Sequence, residues 1–170
     1  MVNKSHFRRW LRLSSPLLLH IAAGALCVLI YLHLDHLYKV ESIRRSADSV
    51  RVSLLEIESG QRGFLLTGNI AYLDNYRYNR AILRLRLEVL CRQIPNTEAN
   101  KHLCSELATL IDKKLAEMED TVQLARANKI LDALTIVRTD RGFQYTRAID
   151  DRLDHIRIEP GTPMESCLAE

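Results

Sequence analysis

Apolar residues recur along most of this chain at the spacing of an α-helix, and residues 17–34 form a stretch without any charged side chain. Eighteen such residues are at the lower end of the length that spans a membrane. Beyond this stretch, apolar positions follow at alternating steps of three and four, the pattern of a heptad seam. The seam consists of Val40, Ile43, Ala47, Val50, Leu54, Ile57, Gln61 and Phe64. We therefore predict one helix from about residue 17 to residue 66, continuous with the apolar stretch.

Three further helices are predicted between residues that break or cap helices. Gly68 suits a left-handed C-cap, Asn69 can cap the next helix, and Pro95 and Asn128 mark the later turns. The predicted helices cover about residues 70–93, 98–127 and 129–158, and Gly142 is a possible break or kink in the last. Short turns make neighbouring helices antiparallel, so the pattern predicts an all-α, membrane-anchored four-helix bundle outside the cytoplasm.

Each predicted helix carries an apolar stripe that the bundle has to bury. The second helix offers Leu73, Tyr76, Leu83, Leu87 and Leu90. The third offers Leu103, Leu107, Ile111, Leu115, Met118, Val122 and Ala125. The fourth offers Leu131, Leu134, Val137, Tyr145, Ile149, Leu153 and Ile156.

The composition agrees with a helical chain of this size. The 170 residues are 47% hydrophobic and 26% charged, with only six glycines and four prolines. These values argue against a β-sandwich, a barrel or a disordered chain. The length leaves no room for a kinase, cyclase or Rossmann domain beside another domain.

Positive charge is concentrated before the apolar stretch and predicts its orientation. Lys4, Arg8, Arg9 and Arg12 are the charged residues among the first 34, so the net charge of +3 arises there and not on a folded face. That distribution argues against nucleic-acid binding and places the N-terminus in the cytoplasm. We predict a basic cytoplasmic segment (1–16), a transmembrane helix (17–34), a periplasmic or extracellular helical sensory domain (35–158) and a polar tail (159–170).

A cleavable signal peptide is the alternative to the anchor, because it has the same basic start and apolar centre. The apolar stretch is longer than such centres usually are, and no small-residue cleavage pattern follows it. Cleavage near Leu34 would release a soluble bundle. No second apolar run follows, so the sequence as given predicts a single span.

The segment from Glu58 to Gly63 is unusual for a helix, because it contains two glycines and a polar residue on the apolar seam. Gly60 and Gly63 each cost a helix about 1 kcal/mol relative to alanine, and they flank Gln61 on the seam and Arg62 beside it. One interpretation is a polar layer that fixes the register of a bundle or dimer. The other is a ligand-binding or switch element, with Glu58, Gly60, Gln61, Arg62 and Gly63 as its candidate residues.

The same region resembles the signature of the type-3 CHASE domain family of extracellular sensory domains. Residues 58–69 read E-S-G-Q-R-G-F-L-L-T-G-N, where family members typically read E-T-G-Q-R-G-Y-L-L-T-G-D, and Tyr72, Leu73 and Tyr76 follow. Residues 114–118 and 121–122 are similar to a later family stretch. The final family motif is poorly kept. Only Gly142 and Ile149 match this motif. Phe143, Thr146 and Arg147 stand where family members have Lys, Met and Asp.

This resemblance covers about residues 40–158 and implies an all-α periplasmic sensor that usually lies between two transmembrane helices. It implies the sensory input domain of a bacterial receptor of the histidine-kinase or chemoreceptor type, here without an output module. The alternative is a membrane-anchored accessory protein that dimerises or pairs with another receptor through its helices. The resemblance carries no agreed ligand residues, so the small-molecule ligand stays open.

Other chemistry receives little support from the sequence. Cys91 and Cys104 flank the Pro95 turn at similar distances, so they form either a disulfide or two buried thiols. His33 and His36 lie three residues apart on one helix face, but two ligands are too few for a metal site. No catalytic motif is present, so we expect no enzyme activity, cofactor or metal. Five carboxylates are expected on solvated helix faces: Glu56, Glu58, Glu117, Glu119 and Asp120.

Overall fold

The computed structural model describes the backbone of residues 4–156 and the side chains of residues 19–156. The described residues form five helices and no strand, which confirms the predicted all-α class. The helices are α1 (Lys4–Thr67), α2 (Tyr72–Gln93), α3 (Glu98–Arg126), α4 (Ile130–Val137) and α5 (Arg141–Asp154). The long first helix is confirmed, although it begins before the predicted start at Leu17. The predicted polar tail, residues 159–170, lies outside the described residues.

The chain divides into two compact units, residues 1–41 and residues 42–170. In the first unit, the side chains of residues 19–34 are all exposed. An 18-residue window of this helix has a mean hydropathy of 1.5 and none of it is buried. It is the one helix among the described residues that is long and apolar enough to cross a membrane. An N-terminal signal sequence would pass the same test of length and composition.

The second unit has one hydrophobic core, to which α1, α2, α3 and α5 contribute. The predicted seam of α1 is buried from Ile43 to Phe64, with Val50 and Ile57 both 0% exposed. The seam therefore packs in the chain's own hydrophobic core and is not free to pair with a second copy. The predicted stripes of α2 and α3 are buried as well, with Ala125 partly buried at the end of α3.

The turns lie where the breakers predicted them. Gly68 has φ +69°, and its N–H donates to the carbonyl of Phe64 at 2.8 Å, which ends α1 with a left-handed residue. The side chain of Asn69 accepts a hydrogen bond from the N–H of Ala71 at 3.0 Å, just before α2. Asn128 has φ +59° at the joint after α3.

The predicted fourth helix is divided into two, but the break lies before Gly142 and not at it. The chain forms two short helices, because Asp140 adopts a left-handed φ of +56° between them. Aspartate tolerates that conformation better than most residues with a side chain. Gly142 lies inside α5 and is buried there.

The break also overturns part of the predicted fourth stripe. Leu131 is 76% exposed and Val137 is 40% exposed, whereas α4 buries Ala133. Because the left-handed residue resets the rotation of α5 relative to α4, one stripe cannot run through both helices. On α5, Ile149 and Leu153 are buried as predicted.

Cys91 at the end of α2 and Cys104 in α3 are joined by a disulfide in the structure, with their Cα atoms 6.1 Å apart. The two helices run antiparallel across the Pro95 turn, which brings both residues to the same height, against the core. The cross-link closes a loop with a sequence separation of 13 residues.

We expect the Cys91→Ser/Cys104→Ser double variant to lose about 3 kcal/mol of unfolding free energy, because the cross-link restricts the unfolded chain. Chemical denaturation of the oxidised chain and the double variant measures the loss. The Cys27→Ser variant is the control, since that thiol is free and exposed. Equal stability of the double variant and the oxidised chain would contradict the prediction.

Candidate functional site

The second unit buries a lysine, Lys114 of α3, which is 4% exposed. Its ammonium lies 2.9 Å from Oε1 of Glu58 on α1 and donates to the carbonyl of Gly142 on α5 at 3.0 Å. A buried charge is tolerated only when it is paired and hydrogen-bonded. Lys114 therefore connects three helices through one charged group.

Glu58 is the partner that neutralises Lys114, and it is itself only 8% exposed. Oε1 also accepts a hydrogen bond from the hydroxyl of Thr146 at 2.6 Å. Burial raises the pKa of Glu58, but the hydrogen bonds from Thr146 and Lys114 and the charge of Lys114 outweigh it, so the pKa is lowered overall. Glu58 is thus held ionised by the groups around it.

Gln61 lies one turn further along α1 and belongs to the same buried layer. Its Nε2 donates to Oγ1 of Thr121 at 2.5 Å, and the Thr121 hydroxyl donates to the carbonyl of Met118 at 2.7 Å. Gln61 and Thr121 are 5% and 0% exposed, so this chain of hydrogen bonds satisfies polar groups inside the core.

The two glycines of the segment serve a different contact, on the side of α1 that faces α2. A Cβ added to Gly60 would lie 2.7 Å from the carbonyl oxygen of Tyr72 and 3.0 Å from Cβ of Tyr76. A Cβ added to Gly63 would overlap the ring of Tyr72. Both glycines therefore permit the start of α2 to approach the end of α1, which accounts for their cost in helix propensity.

Glu117, one turn after Lys114 on α3, is the least satisfied group in the layer. Its Oε2 is buried and has no hydrogen-bond partner, and it lies 3.8 Å from the ammonium of Lys114. Burial raises the pKa of Glu117, and the neighbouring carboxylates Glu58 and Asp120 raise it further. The charges of Lys114 and Arg141 lower it, but the pKa remains raised overall. The layer thus contains a carboxyl group whose acceptor capacity is unused.

A cavity of about 290 Å³ opens beside these groups, inside the second unit. Its polar lining comes from Gln61, Arg62, Lys114, Glu117 and Asp140, and Gly142 also lines it. The apolar lining is formed by Leu65, Leu66, Leu134, Val137 and Phe143. Leu66 and Phe143 are 82% and 60% exposed, so solvent can reach the cavity.

The predicted site residues lie in three different places: the cavity, the buried layer and the contact with α2. Gln61 and Arg62 line the cavity, and Glu58 lies behind it in the buried layer. Gly60 and Gly63 face α2 and do not line it. The side chain of Arg62 is 68% exposed, 3.5 Å from Oε2 of Glu58.

Of the carboxylates expected on solvated faces, Glu58 is buried and Glu117 is partly buried, with a side chain that is 9% exposed. The expectation is therefore wrong for both. The reason is the buried Lys114, whose charge compensates Glu58. The spacing contained a signal for this: Ile111, Lys114, Met118 and Thr121 follow steps of three and four, which places the lysine and the threonine on the core stripe of α3. In the sequence, Thr146 stands out only as a departure from a family motif. No sequence signal connected it to Glu58.

Comparison with known proteins relates this chain to a described family. A profile described as "CHASE3 domain" matches residues 36–161. The crystal structure of the Rhodopseudomonas palustris histidine kinase HK9 sensor domain is similar, with a TM-score of 0.61 and 28% sequence identity. The alignment covers 67% of this chain and 89% of that one. A search of curated proteins gives no significant match.

The lowered pKa of Glu58 predicts a specific acid sensitivity. A lowered pKa stabilises the fold above the ordinary pKa of glutamate, and this contribution is lost as the pH falls through the folded-state pKa. At pH 7 we expect Glu58→Gln to lose roughly 3 kcal/mol of unfolding free energy, because Lys114 loses its closest countercharge. The difference from the parent chain should shrink below about pH 4.

Chemical denaturation of both proteins at several pH values measures this difference. Glu56→Gln is the matched control, because Glu56 lies on the same helix and contacts Asn75 outside the Lys114 layer. We expect it to cost less than about 1 kcal/mol at every pH. A Glu58→Gln variant with a loss independent of pH would contradict the assignment.

Proposed function

The chain belongs to the CHASE3 domain family, and on that basis we propose that it is the extracytoplasmic sensory input domain of a bacterial receptor of the histidine-kinase or chemoreceptor type. The observation that carries this proposal is the family match over residues 36–161, which includes the whole buried layer around Lys114. The similar structure is also a histidine kinase sensor domain. The coarser conclusion, a sensory input domain of a signalling receptor, follows from these two matches.

We propose the domain division made from the sequence: a cytoplasmic segment 1–16, a membrane helix 17–34, an extracytoplasmic domain 35–158 and a tail 159–170. The candidate span near the N-terminus and the cationic residues before it support this orientation. The Cys91–Cys104 disulfide supports it as well, because such bonds persist in oxidising compartments.

The buried layer is the part of the domain suited to switching. Its hydrogen bonds connect α1 with α3 and α5, so a shift of any of these helices would exchange or break contacts of Glu58 or Gln61. Packed layers of this kind have discrete arrangements rather than a continuous range. A cue acts by stabilising one arrangement over another.

A receptor chimera tests the proposal. Residues 1–156 of this chain replace the corresponding part of a CHASE3-containing histidine kinase, and autophosphorylation is measured in membrane vesicles. We expect Gln61→Leu to change the kinase rate at least about fivefold, because it removes the polar contact between α1 and α3. The control Gln123→Leu makes the same chemical change at an exposed site on α3 and should leave the rate unchanged.

Two results would count against the proposal. A kinase rate equal to that of the receptor without any sensor domain would contradict an input function. An unchanged rate in Gln61→Leu, with raised thermal stability, would assign the layer to packing alone.

A second candidate function is an accessory helical protein that dimerises or pairs with a receptor through α1. The observation that favours it is an exposed apolar pair on one face of α1, Val52 and Leu55, which are 51% and 60% exposed. They lie three residues apart and so share a helix face. The buried seam residues Val50 and Leu54 are unsuited to this role.

Oxidative cross-linking in membranes tests this pairing in a background with Cys27 and Cys167 replaced by serine. If two copies meet along α1, Leu55→Cys should give a covalent dimer. Leu54→Cys should not, because Leu54 is 3% exposed. Absence of the dimer with Leu55→Cys would exclude self-association through this face.

A further inference from the structure

We propose that the cavity beside Lys114 binds a small organic amine, with the ammonium group of the ligand on Glu117 and its apolar part against Leu134 and Val137. This inference rests on the proposed sensory function, for which it names the class of ligand. It is drawn from the groups that line the cavity in the second unit.

The charges of the buried layer leave one acceptor unused. Lys114 is engaged by Oε1 of Glu58 at 2.9 Å and by the carbonyl of Gly142 at 3.0 Å. Oε2 of Glu117 is 3.8 Å from the same ammonium and has no hydrogen bond. The side chain of Glu117 is 9% exposed. Two carboxylates therefore share one buried cation, and a second cation that donates a hydrogen bond would complete the set.

Gly142 lines the cavity directly beside this oxygen. A Cβ at that position would lie 2.6 Å from Oε2 of Glu117 and 2.9 Å from Nζ of Lys114. A side chain there would fill the space in front of the carboxylate. Burial raises the pKa of Glu117 more than the charges of Lys114 and Arg141 lower it, which agrees with an anion that is only partly compensated.

The remaining lining fits an apolar body on the ligand. Leu134 and Val137 of α4 and Phe143 of α5 line the cavity, and Val137 and Phe143 remain 40% and 60% exposed. These apolar side chains are not part of the hydrophobic core of the unit. The volume of about 290 Å³ is near the lower end for small-molecule sites, so the ligand is small.

An anionic ligand is the less favoured alternative, although two arginines are close. The side chain of Arg62 is 68% exposed, so water screens its attraction. Arg141 is exposed as well. Two of the three donors of Lys114 are already engaged by Glu58 and Gly142, and an anion would meet the buried oxygen of Glu117.

Three probes with the same five-carbon chain separate the chemistries: pentylamine as its ammonium salt, pentanoate and pentan-1-ol. Each is titrated by calorimetry into the full chain in lipid nanodiscs, and the heat of empty nanodiscs is subtracted. We expect pentylamine to bind, and pentanoate and pentanol to bind at least about tenfold more weakly, because a charge-assisted hydrogen bond distinguishes them.

Glu117→Gln and Asp112→Asn form the matched pair of variants. Each removes one carboxylate from α3, but Asp112 contacts Arg84 and does not line the cavity. Glu117→Gln should weaken pentylamine binding at least about tenfold, and Asp112→Asn should leave it unchanged. Leu134→Phe, which fills the cavity, should weaken all binding. Circular dichroism confirms that each variant is folded.

Tighter binding of pentanoate than of pentylamine would overturn the proposal in favour of an anion site. Equal binding of pentylamine to the parent chain and to Glu117→Gln would also overturn it, as would the absence of pentylamine binding. These results leave the sensory function intact if the receptor chimera still responds to Gln61→Leu. If the chimera does not respond to Gln61→Leu but pentylamine still binds, the cavity is a binding site without a role in signalling.

Discussion

The buried ammonium of Lys114 is the constraint on which the arrangement of the domain depends. A charged amine in a protein core requires an opposite charge and hydrogen-bond acceptors within a few ångströms. Here they come from Glu58 on α1 and from the backbone of Gly142 on α5. The need to satisfy one group therefore fixes the relative positions of three helices, beyond what the apolar core requires.

The same constraint explains the break between α4 and α5. The left-handed residue Asp140 starts α5 so that its second residue, Gly142, lies against Lys114 and Glu117. A residue with a Cβ at that position would require the ends of both side chains to shift. The short α4, with its partly exposed apolar residues, is then free to line the cavity instead of joining the core.

Glycines on α1 and a polar layer on the same helix solve two separate packing problems. Gly60 and Gly63 give α2 room to approach at Tyr72, whereas Glu58 and Gln61 point toward α3 and α5. Within six residues the helix therefore carries a close contact on one face and a charged layer on another. A change in the packing of either face would shift the other face as well, because both belong to one rigid helix.

The helical class, the long first helix, the turns at Gly68, Pro95 and Asn128 and most of the core followed from the sequence, since they depend on local periodicity and on residues that break helices. The family could also be identified from the sequence, through a long contiguous motif. What periodicity could not determine was which polar residues are buried together. Lys114 and Thr146 are 32 positions apart along the chain. Their shared contact with Glu58 arises only when three helices pack. The tertiary structure therefore decided the buried layer, the oxygen of Glu117 that has no hydrogen bond, and the cavity beside it.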